Sequence, residues 1–382
     1  MKPLAIKPYK MHAKENPASQ RKGFVPLHAA VANHSPLSVN RPGFQRALLD
    51  WYQANQRVLP WRESPSLYKT VVSEFMLQQT QVKTVLPYFA RWLAELPDFK
   101  KLSAASEEKV LKLWEGLGYY SRARNLHKLA QAVAALAEPP RSPEDWRELP
   151  GVGPYTAAAI TSIAFSAPVA CVDGNVVRIL ARLTADATEF RDSASAAKYF
   201  TTLATELVAT DSPGDHNQAM MELGATVCHR QTPLCTVCPV LAYCAAARAG
   251  EPERFPRLAT KKIEQQQVIR VWCEHDGQLL LHRAHFKARR LANQYELPRA
   301  GDLGLAEGDF KKLTPLAVRR RAITRYAITE TIFRFPLSAR QRAAAAQNTE
   351  LSWVPLSDLA ALTLSGPHRR WVGEILAASD RK

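Results

Sequence analysis

Cysteine is scarce in this chain, six residues in 382. With no secretory leader legible, a disulfide framework is disfavoured. Acidic residues are short as well. The 35 Asp and Glu face 51 Lys and Arg, a formal charge of +16. A large basic protein usually meets a polyanion, most often nucleic acid; the plainer alternative is a well-solvated basic surface. Long apolar runs are missing too. The one uncharged stretch, 155–172, is rich in Ala, Thr and Ser and is interrupted by Pro168, so it fits a buried helix and not a membrane span. Residues 1–42 hold a single acid, Glu15, with few arginines and no sustained periodicity. Their default reading is a disordered basic arm; an organelle-targeting segment is the alternative, with little Arg and no amphipathic face to support it. Length and a 46% hydrophobic content allow two or more domains with real cores.

Four of the six cysteines are crowded together. Cys228, Cys235, Cys238 and Cys244 follow the spacing C-x6-C-x2-C-x5-C. Thiolates this close cannot all bridge one another without strain, but they can converge on one soft metal centre. By chemistry alone a four-thiolate zinc site and an iron–sulfur cluster stand level.

From 43 to 247 the pattern is helical. Phe44, Leu48, Leu49, Trp51 and Tyr52 form one apolar stripe. The apolar and aromatic stretch 71–93 is expected to break or kink at Pro87. Val110, Leu111, Leu113 and Trp114 lead to Gly116 and Gly118, and a helix is expected over 121–137. Ser142-Pro143-Glu144-Asp145 has the make-up of a helix start. Leu149-Pro150-Gly151-Val152-Gly153-Pro154-Tyr155 then predicts a tight hairpin between two helices, spanning 145–165. Backbone N–H groups around Gly151 and Gly153, beside a helix N-terminus, suit a phosphate oxygen and fix position without reading sequence. Val172-Asp173-Gly174-Asn175-Val176 follows and sets a carboxylate beside a glycine.

This hairpin, the 172–176 segment and the cysteine cluster, in that order, resemble the helix-hairpin-helix DNA glycosylases of the endonuclease III superfamily. Pro60-Trp61-Arg62, Ser73-Glu74-Phe75-Met76-Leu77-Gln78-Gln79-Thr80-Gln81, Gly116-Leu117-Gly118-Tyr119-Tyr120-Ser121-Arg122 and Asn217-Gln218-Ala219-Met220-Met221-Glu222-Leu223-Gly224 are similar to its adenine-specific MutY branch. The resemblance implies a [4Fe–4S] cluster on the loop 228–244. It also implies a substrate, double-stranded DNA with adenine opposite 8-oxoguanine or guanine, and an intracellular monomer, cytoplasmic or at the nucleoid.

Glycosidic cleavage needs a proton for the departing base and an anion to steady an oxocarbenium-like sugar, and two carboxylates in one cleft supply both. Glu74 and Asp173 occupy the family's two positions: Glu74 as general acid with a raised pKa, Asp173 ionised. Without the resemblance they would read as an exposed helix carboxylate and a helix cap. Tyr155 stands where strand-cleaving members carry a Schiff-base lysine. A phenol forms no imine, so little or no lyase activity is expected. Tyr155 can bond one of the carboxylates, and Asn175 is expected to orient Asp173 or a water. Arg62 is placed by resemblance near the adenine pocket. The target base must leave the stack, and Gln79, Thr80 and Tyr119 are expected to fill the gap, with the Leu117 backbone near the opposite base.

After a basic linker, 248–264, the chain changes character. Strand-like alternation at 267–272 and 278–281 around Asp276-Gly277 predicts a hairpin. Further strands are expected at 328–335 and 352–354, and a helix at 369–378. The whole of 265–382 is expected to be an α+β domain resembling the MutT-like recognition domain of MutY proteins. The run of glutamates that a nucleotide-hydrolysing relative uses for magnesium is missing. The family's Phe-Ser-His triplet is matched here by Ile328-Thr329-Glu330, and its Trp-Glu-Phe-Pro-Gly-Gly stretch by Tyr295-Glu296-Leu297-Pro298-Arg299-Ala300. Thr329 keeps a hydroxyl for lesion recognition, while Glu330 is expected to bring negative charge near DNA. The rival functions are a glycosylase for another mispaired base, such as thymine opposite guanine, and a catalytically idle iron–sulfur DNA-binding protein.

Overall fold

The computed structural model describes residues 40–260, 262–285, 288, 291–323 and 325–379. The predicted arm therefore lies outside the description except for its last three residues. Arg41 and Pro42 already form the first turn of helix α1 (Arg41–Asn55), capped by the Asn40 side chain accepting from Gly43 N–H at 2.9 Å.

Short helices follow: α2 (Pro60–Glu63), α3 (Leu67–Leu77), α4 (Val82–Glu95), α5 (Phe99–Ala104), α6 (Glu107–Leu113), α7 (Ser121–Ala134), α8 (Pro143–Arg147) and α9 (Pro154–Phe165). The apolar stretch 71–93 breaks at 78–81 and not at Pro87, which sits inside α4. The reason is tertiary. The Arg122 guanidinium takes the carbonyls of Phe75 (3.1 Å), Met76 (2.9 Å) and Gln78, so side-chain donors from 44 or more residues away close the end of α3. These helices enclose one core around Trp92, Trp114 and Trp146, all with no exposure. Trp92 and Trp114 pack edge to face, ring centroids 5.6 Å apart, worth about 0.5–1.5 kcal/mol beyond burial.

A second core joins α1 to α10 (Gly174–Thr184), α11 (Ser193–Leu207) and α12 (Pro213–Thr226) around Phe44, Leu180, Phe200 and Leu223. The cysteine loop and α13 (Ala245–Arg248) lie against this core. The linker is tied down: Arg257–Leu258 (β2) pairs in parallel with Glu189–Phe190 (β1). Among the described residues no helix is long and apolar enough to cross a membrane.

The C-terminal part mixes strands and helices. β3 (Glu264–Trp272) runs parallel to β8 (Tyr326–Arg334), which pairs antiparallel with β7 (Ala317–Ile323). β4 (Glu274–His275) and β5 (Gln278–Arg283) form the expected hairpin. Its two turn residues, Asp276 and Gly277, have φ of 49° and 69°, the left-handed pair that this turn requires. The predicted strand 267–272 is part of β3, whose main partner is β8. β6 (Tyr295–Glu296) and β9 (Leu351–Pro355) flank β5, α14 (Ala339–Gln347) precedes β9, and α15 (Gly366–Ser379) ends the described chain. β7 and α14 carry little apolar periodicity and were not foreseen.

One expectation is overturned here. Glu330 brings no charge to the surface. Its side chain is fully buried, 2.6 Å from Arg270 Nε and in contact with Arg321, beside Glu296 and His368. Strand alternation turns 328, 330 and 332 inward together, and two arginines compensate a charge that burial would otherwise neutralise.

Candidate active site

The two helical cores meet at a cavity of about 650 Å³. Glu74 comes from α3 on one side and Asp173 from the head of α10 on the other, and both line it together with Tyr155, Arg62 and Asn175. Every residue of α3 from Thr70 to Met76 is buried, so Glu74 is only 7% exposed. It is not the exposed helix carboxylate that its position alone would suggest. Burial pushes its carboxyl up to about 7. The Tyr155 hydroxyl opposes that rise, Asp173 adds to it, and Arg62 opposes it.

Asp173 is a helix cap as well as a cavity residue. Oδ1 accepts from the N–H groups of Asn175 and Val176, both at 2.8 Å, and Oδ2 accepts from Asn175 Nδ2 at 3.1 Å. Burial raises this carboxyl too and leaves it above its ordinary value, although these donors and Arg178 pull it part of the way back. Three N–H donors and a helix N-terminus favour the anion, whereas Glu74 has few donors. The surroundings thus favour the anion at Asp173 more than at Glu74. Asn217 fixes the chain entering Asp173: its Oδ1 accepts from Cys171 N (2.9 Å) and its Nδ2 donates to Val169 O (2.8 Å). Tyr155 interacts with both carboxylates and hydrogen-bonds Glu74, its hydroxyl also lies 3.0 Å from Met221 Sδ, and burial drives its phenol well above the usual range.

Arg62 reaches the same cavity, donating from Nε to Gln218 Oε1 (3.1 Å) and from Nη2 to Glu222 Oε2 (3.0 Å). Arg57 grips Glu222 from the other side at 2.6 Å. Burial alone would raise the Glu222 carboxyl; Arg57 and Arg62 hold it below the usual range. Sequence reasoning assigned no role to Arg57, Gln218 or Glu222. The signal available was the i, i+4 spacing of Gln218 and Glu222, which puts both on one face of α12.

Of the remaining residues expected to face DNA, Thr80 lines the cavity and the others do not. Gln79, exposed, and Tyr119, 51% exposed, have φ of 57° and 46°, a conformation costly for non-glycine residues. Thr80 lies at the cavity rim. Leu117 is buried, and its carbonyl accepts from Arg122 Nη2 at 3.1 Å. Arg122, which sequence reasoning passed over, also donates to Thr80 Oγ1 (3.1 Å) and Gly118 O (3.2 Å), holding the two turns together. Gly151 has φ 77°, and a Cβ on it would come within 2.5 Å of Asn125, so the hairpin requires glycine there. Gly153 is the N-cap of α9 and open on its outer side. Thr329 lies apart from this group, half-exposed on β8 between Gln267 and Arg320.

Helix α10 also reaches the cysteine loop. Arg178 donates to Asn175 Oδ1 (2.8 Å) and Cys228 O (2.8 Å), and Arg182 Nη1 lies 3.2 Å from Cys228 Sγ. Cys228, Cys235, Cys238 and Cys244 line one cavity of about 30 Å³ with Arg182. Among the described residues no three His, Cys, Asp or Glu close around a single ion. The donor set is all sulfur, and arginines beside it can offset thiolate charge, which fits a thiolate-bound centre.

Residues 72–203 match the model of the HhH-GPD superfamily base excision DNA repair proteins. Over 220 residues the chain is 48% identical to an adenine DNA glycosylase of Rattus norvegicus, a match covering 54% of this chain and 42% of the rat protein. An adenine DNA glycosylase of Arabidopsis thaliana is 35% identical over 340 residues, 80% of this chain and 53% of the plant protein. The chain spans about half the length of these curated relatives. A solved thermostable thymine-DNA glycosylase aligns with a TM-score of 0.49 at 25% identity, over 55% of this chain and 98% of that one.

Proposed function

We propose that this chain, whose residues 72–203 belong to the HhH-GPD superfamily of base excision DNA repair proteins, is a monofunctional adenine DNA glycosylase. Its substrate is duplex DNA with adenine opposite 8-oxoguanine or guanine, and it acts as a monomer. The observation that carries the reading is the pair of unlike carboxyls in one cavity, Glu74 raised to about 7 and Asp173 capped by N–H donors, with a phenol where a lyase needs an amine.

The extruded adenine enters the cavity, whose volume is in the range of small-molecule sites. Glu74 protonates the base at N7, which lets the C1′–N9 bond break with its electron pair leaving on adenine. The Asp173 carboxylate stabilises the resulting cationic sugar, held in aim by Asn175. Water then adds at C1′, its proton passing to the Glu74 carboxylate that gave one to the base, and leaves an abasic site. Tyr155 holds Glu74 without forming a covalent bond, so the strand stays intact. The Arg62–Gln218–Glu222 group lines the wall as a fixed polar surface for the base. Gly151 and Gly153 seat a backbone phosphate, Gln79, Thr80 and Tyr119 occupy the vacated stack, Leu117 backs them, and Thr329 contacts the lesion-bearing strand from the MutT-like domain.

Cys228, Cys235, Cys238 and Cys244 would hold a [4Fe–4S] cluster, which would cross-link the 228–244 loop to itself beside Arg178 and Arg182 of α10. Iron, sulfide and zinc analysis of purified protein separates this from a zinc site. The test of the activity is single-turnover excision from duplexes with adenine opposite 8-oxoguanine, guanine or thymine, alongside thymine opposite guanine. Adenine release with strand scission only after alkali is the expected result. Release of thymine, or of neither base by cluster-loaded protein, defeats the reading.

A further inference from the structure

The loop that carries Tyr119 is held from two sides. Gly116, Gly118 and Tyr119 have φ of 105°, 70° and 46°. The two glycines adopt such angles freely, but Tyr119 does so at a cost and keeps that shape only where its surroundings impose it. Arg122 supplies one grip, through the carbonyls of Leu117 and Gly118.

The other grip comes from the C-terminal domain. Glu115, whose side chain is 11% exposed, opens the loop. Its Oε1 accepts from Leu364 N and from Arg369 Nε, both at 2.9 Å. Arg369 is itself fixed by Leu359 O at 2.7 Å and by Leu362 O. Tyr120, which closes the loop, donates to Leu364 O at 3.3 Å and accepts from Gly116 N at 3.3 Å. Gly366 is a neighbour of Gly116: a Cβ on it would lie 3.7 Å from Gly116 Cα, in ordinary van der Waals contact. The segment 359–369 thus touches the loop at its first, second and last residues.

We propose that the segment 359–369 is a latch through which the C-terminal domain sets the posture of Tyr119, with Glu115 and Arg369 as its positioning residues. The opposite-base preference is then partly set inside the protein, by how firmly the C-terminal domain holds the wedge loop, and not only by that domain's own contacts with DNA. This rests on the adenine glycosylase reading above. A 1 Å misplacement of a wedge is enough to cost a large part of a rate, and a strained loop relaxes once one of its grips is removed.

The test uses the full chain and single-turnover adenine excision from duplexes with 8-oxoguanine or guanine opposite. Arg369→Met and the milder Glu115→Gln, which still accepts from Leu364 N–H, are each made alone and together with Tyr119→Ala. Expected is a drop of about tenfold in the ratio of the two rates for Arg369→Met, and no further drop when Tyr119 is already alanine. Arg369→Lys, which keeps a charge on Glu115, recovers part of the ratio. Equal slowing on both duplexes, or effects that multiply independently of Tyr119, overturns the latch while leaving the enzyme reading intact. Wild-type protein that releases no adenine overturns that reading first, and the latch with it.

Discussion

Glu74→Gln removes the proposed proton donor and a buried ionisable group in one step. Its two consequences have opposite signs. The Glu74 carboxyl rises from 4.5 to about 7 because burial disfavours its anion. At about 1.4 kcal/mol per pH unit, the shift is worth about 3 kcal/mol. A carboxyl with a folded pKa above its unfolded one favours folding in acid. That contribution is fully present below about pH 4.5 and is lost as pH rises through about 7, where the native state must hold a buried charge. Glutamine has a similar shape and no charge to bury. Urea unfolding at a series of pH values should therefore show the variant gaining about 3 kcal/mol on the wild type between pH 5 and pH 8. Over the same range its excision should be slower by about 10²–10⁴-fold, the usual contribution of a general acid. Comparing the two proteins at each pH cancels every titrating group that Glu74 does not touch, leaving its partners Asp173 and Tyr155. Parallel stability curves would show that Glu74 is not desolvated, and full excision by the variant would remove it from the acid role.

Three further outcomes follow from the same geometry. Excision by the wild type should decline about tenfold per pH unit above 7, so a flat single-turnover profile between pH 7 and pH 9 would count against a protonated Glu74. Tyr155→Lys should acquire strand cleavage and be trapped on DNA by borohydride, since an amine would then sit beside Glu74 and Asp173; failure to trap would show that the amine does not reach C1′. Glu222→Ala should destabilise the protein by about 3–5 kcal/mol in urea unfolding, because Arg57 and Arg62 would both lose their buried partner. A loss under about 1 kcal/mol would mean the pair is exchanged for water at little cost.

How far the sequence could be read depended on how local each feature is. The helical character of residues 43–247, the capped start at Ser142 and the hairpin at Gly151 and Gly153 depend on neighbours within a few positions, and they lie where the residues place them. The left-handed Asp276-Gly277 turn is of the same kind. The break after Leu77 is different, because its cause is Arg122, brought in from another helix. Glu330 was misplaced for a related reason. Its compensating arginines lie on two neighbouring strands, and only the sheet register sets Arg321 and Arg270 against it. The linker's attachment through β2 to β1 joins residues 68 positions apart along the chain.

The candidate site divides along the same line. Residue types and spacing, read with the family resemblance, were enough to single out Glu74, Asp173, Tyr155, Asn175 and the four cysteines, because each sits in a short motif that can be recognised without knowing the fold. What separates the two carboxyls is not in those motifs. Only packing decides that α3 is buried on every face while Asp173 takes N–H donors from the head of α10, since desolvation is a property of what surrounds a group. Tertiary structure alone also brought Arg57, Arg62 and Glu222 to one wall of the cavity, and set the C-terminal domain's Arg369 against Glu115. The sequence determined which chemical groups the protein possesses; the fold determined which of them hold a proton, which hold a charge and which hold one another, because those depend on distance and on water, and neither is written along the chain.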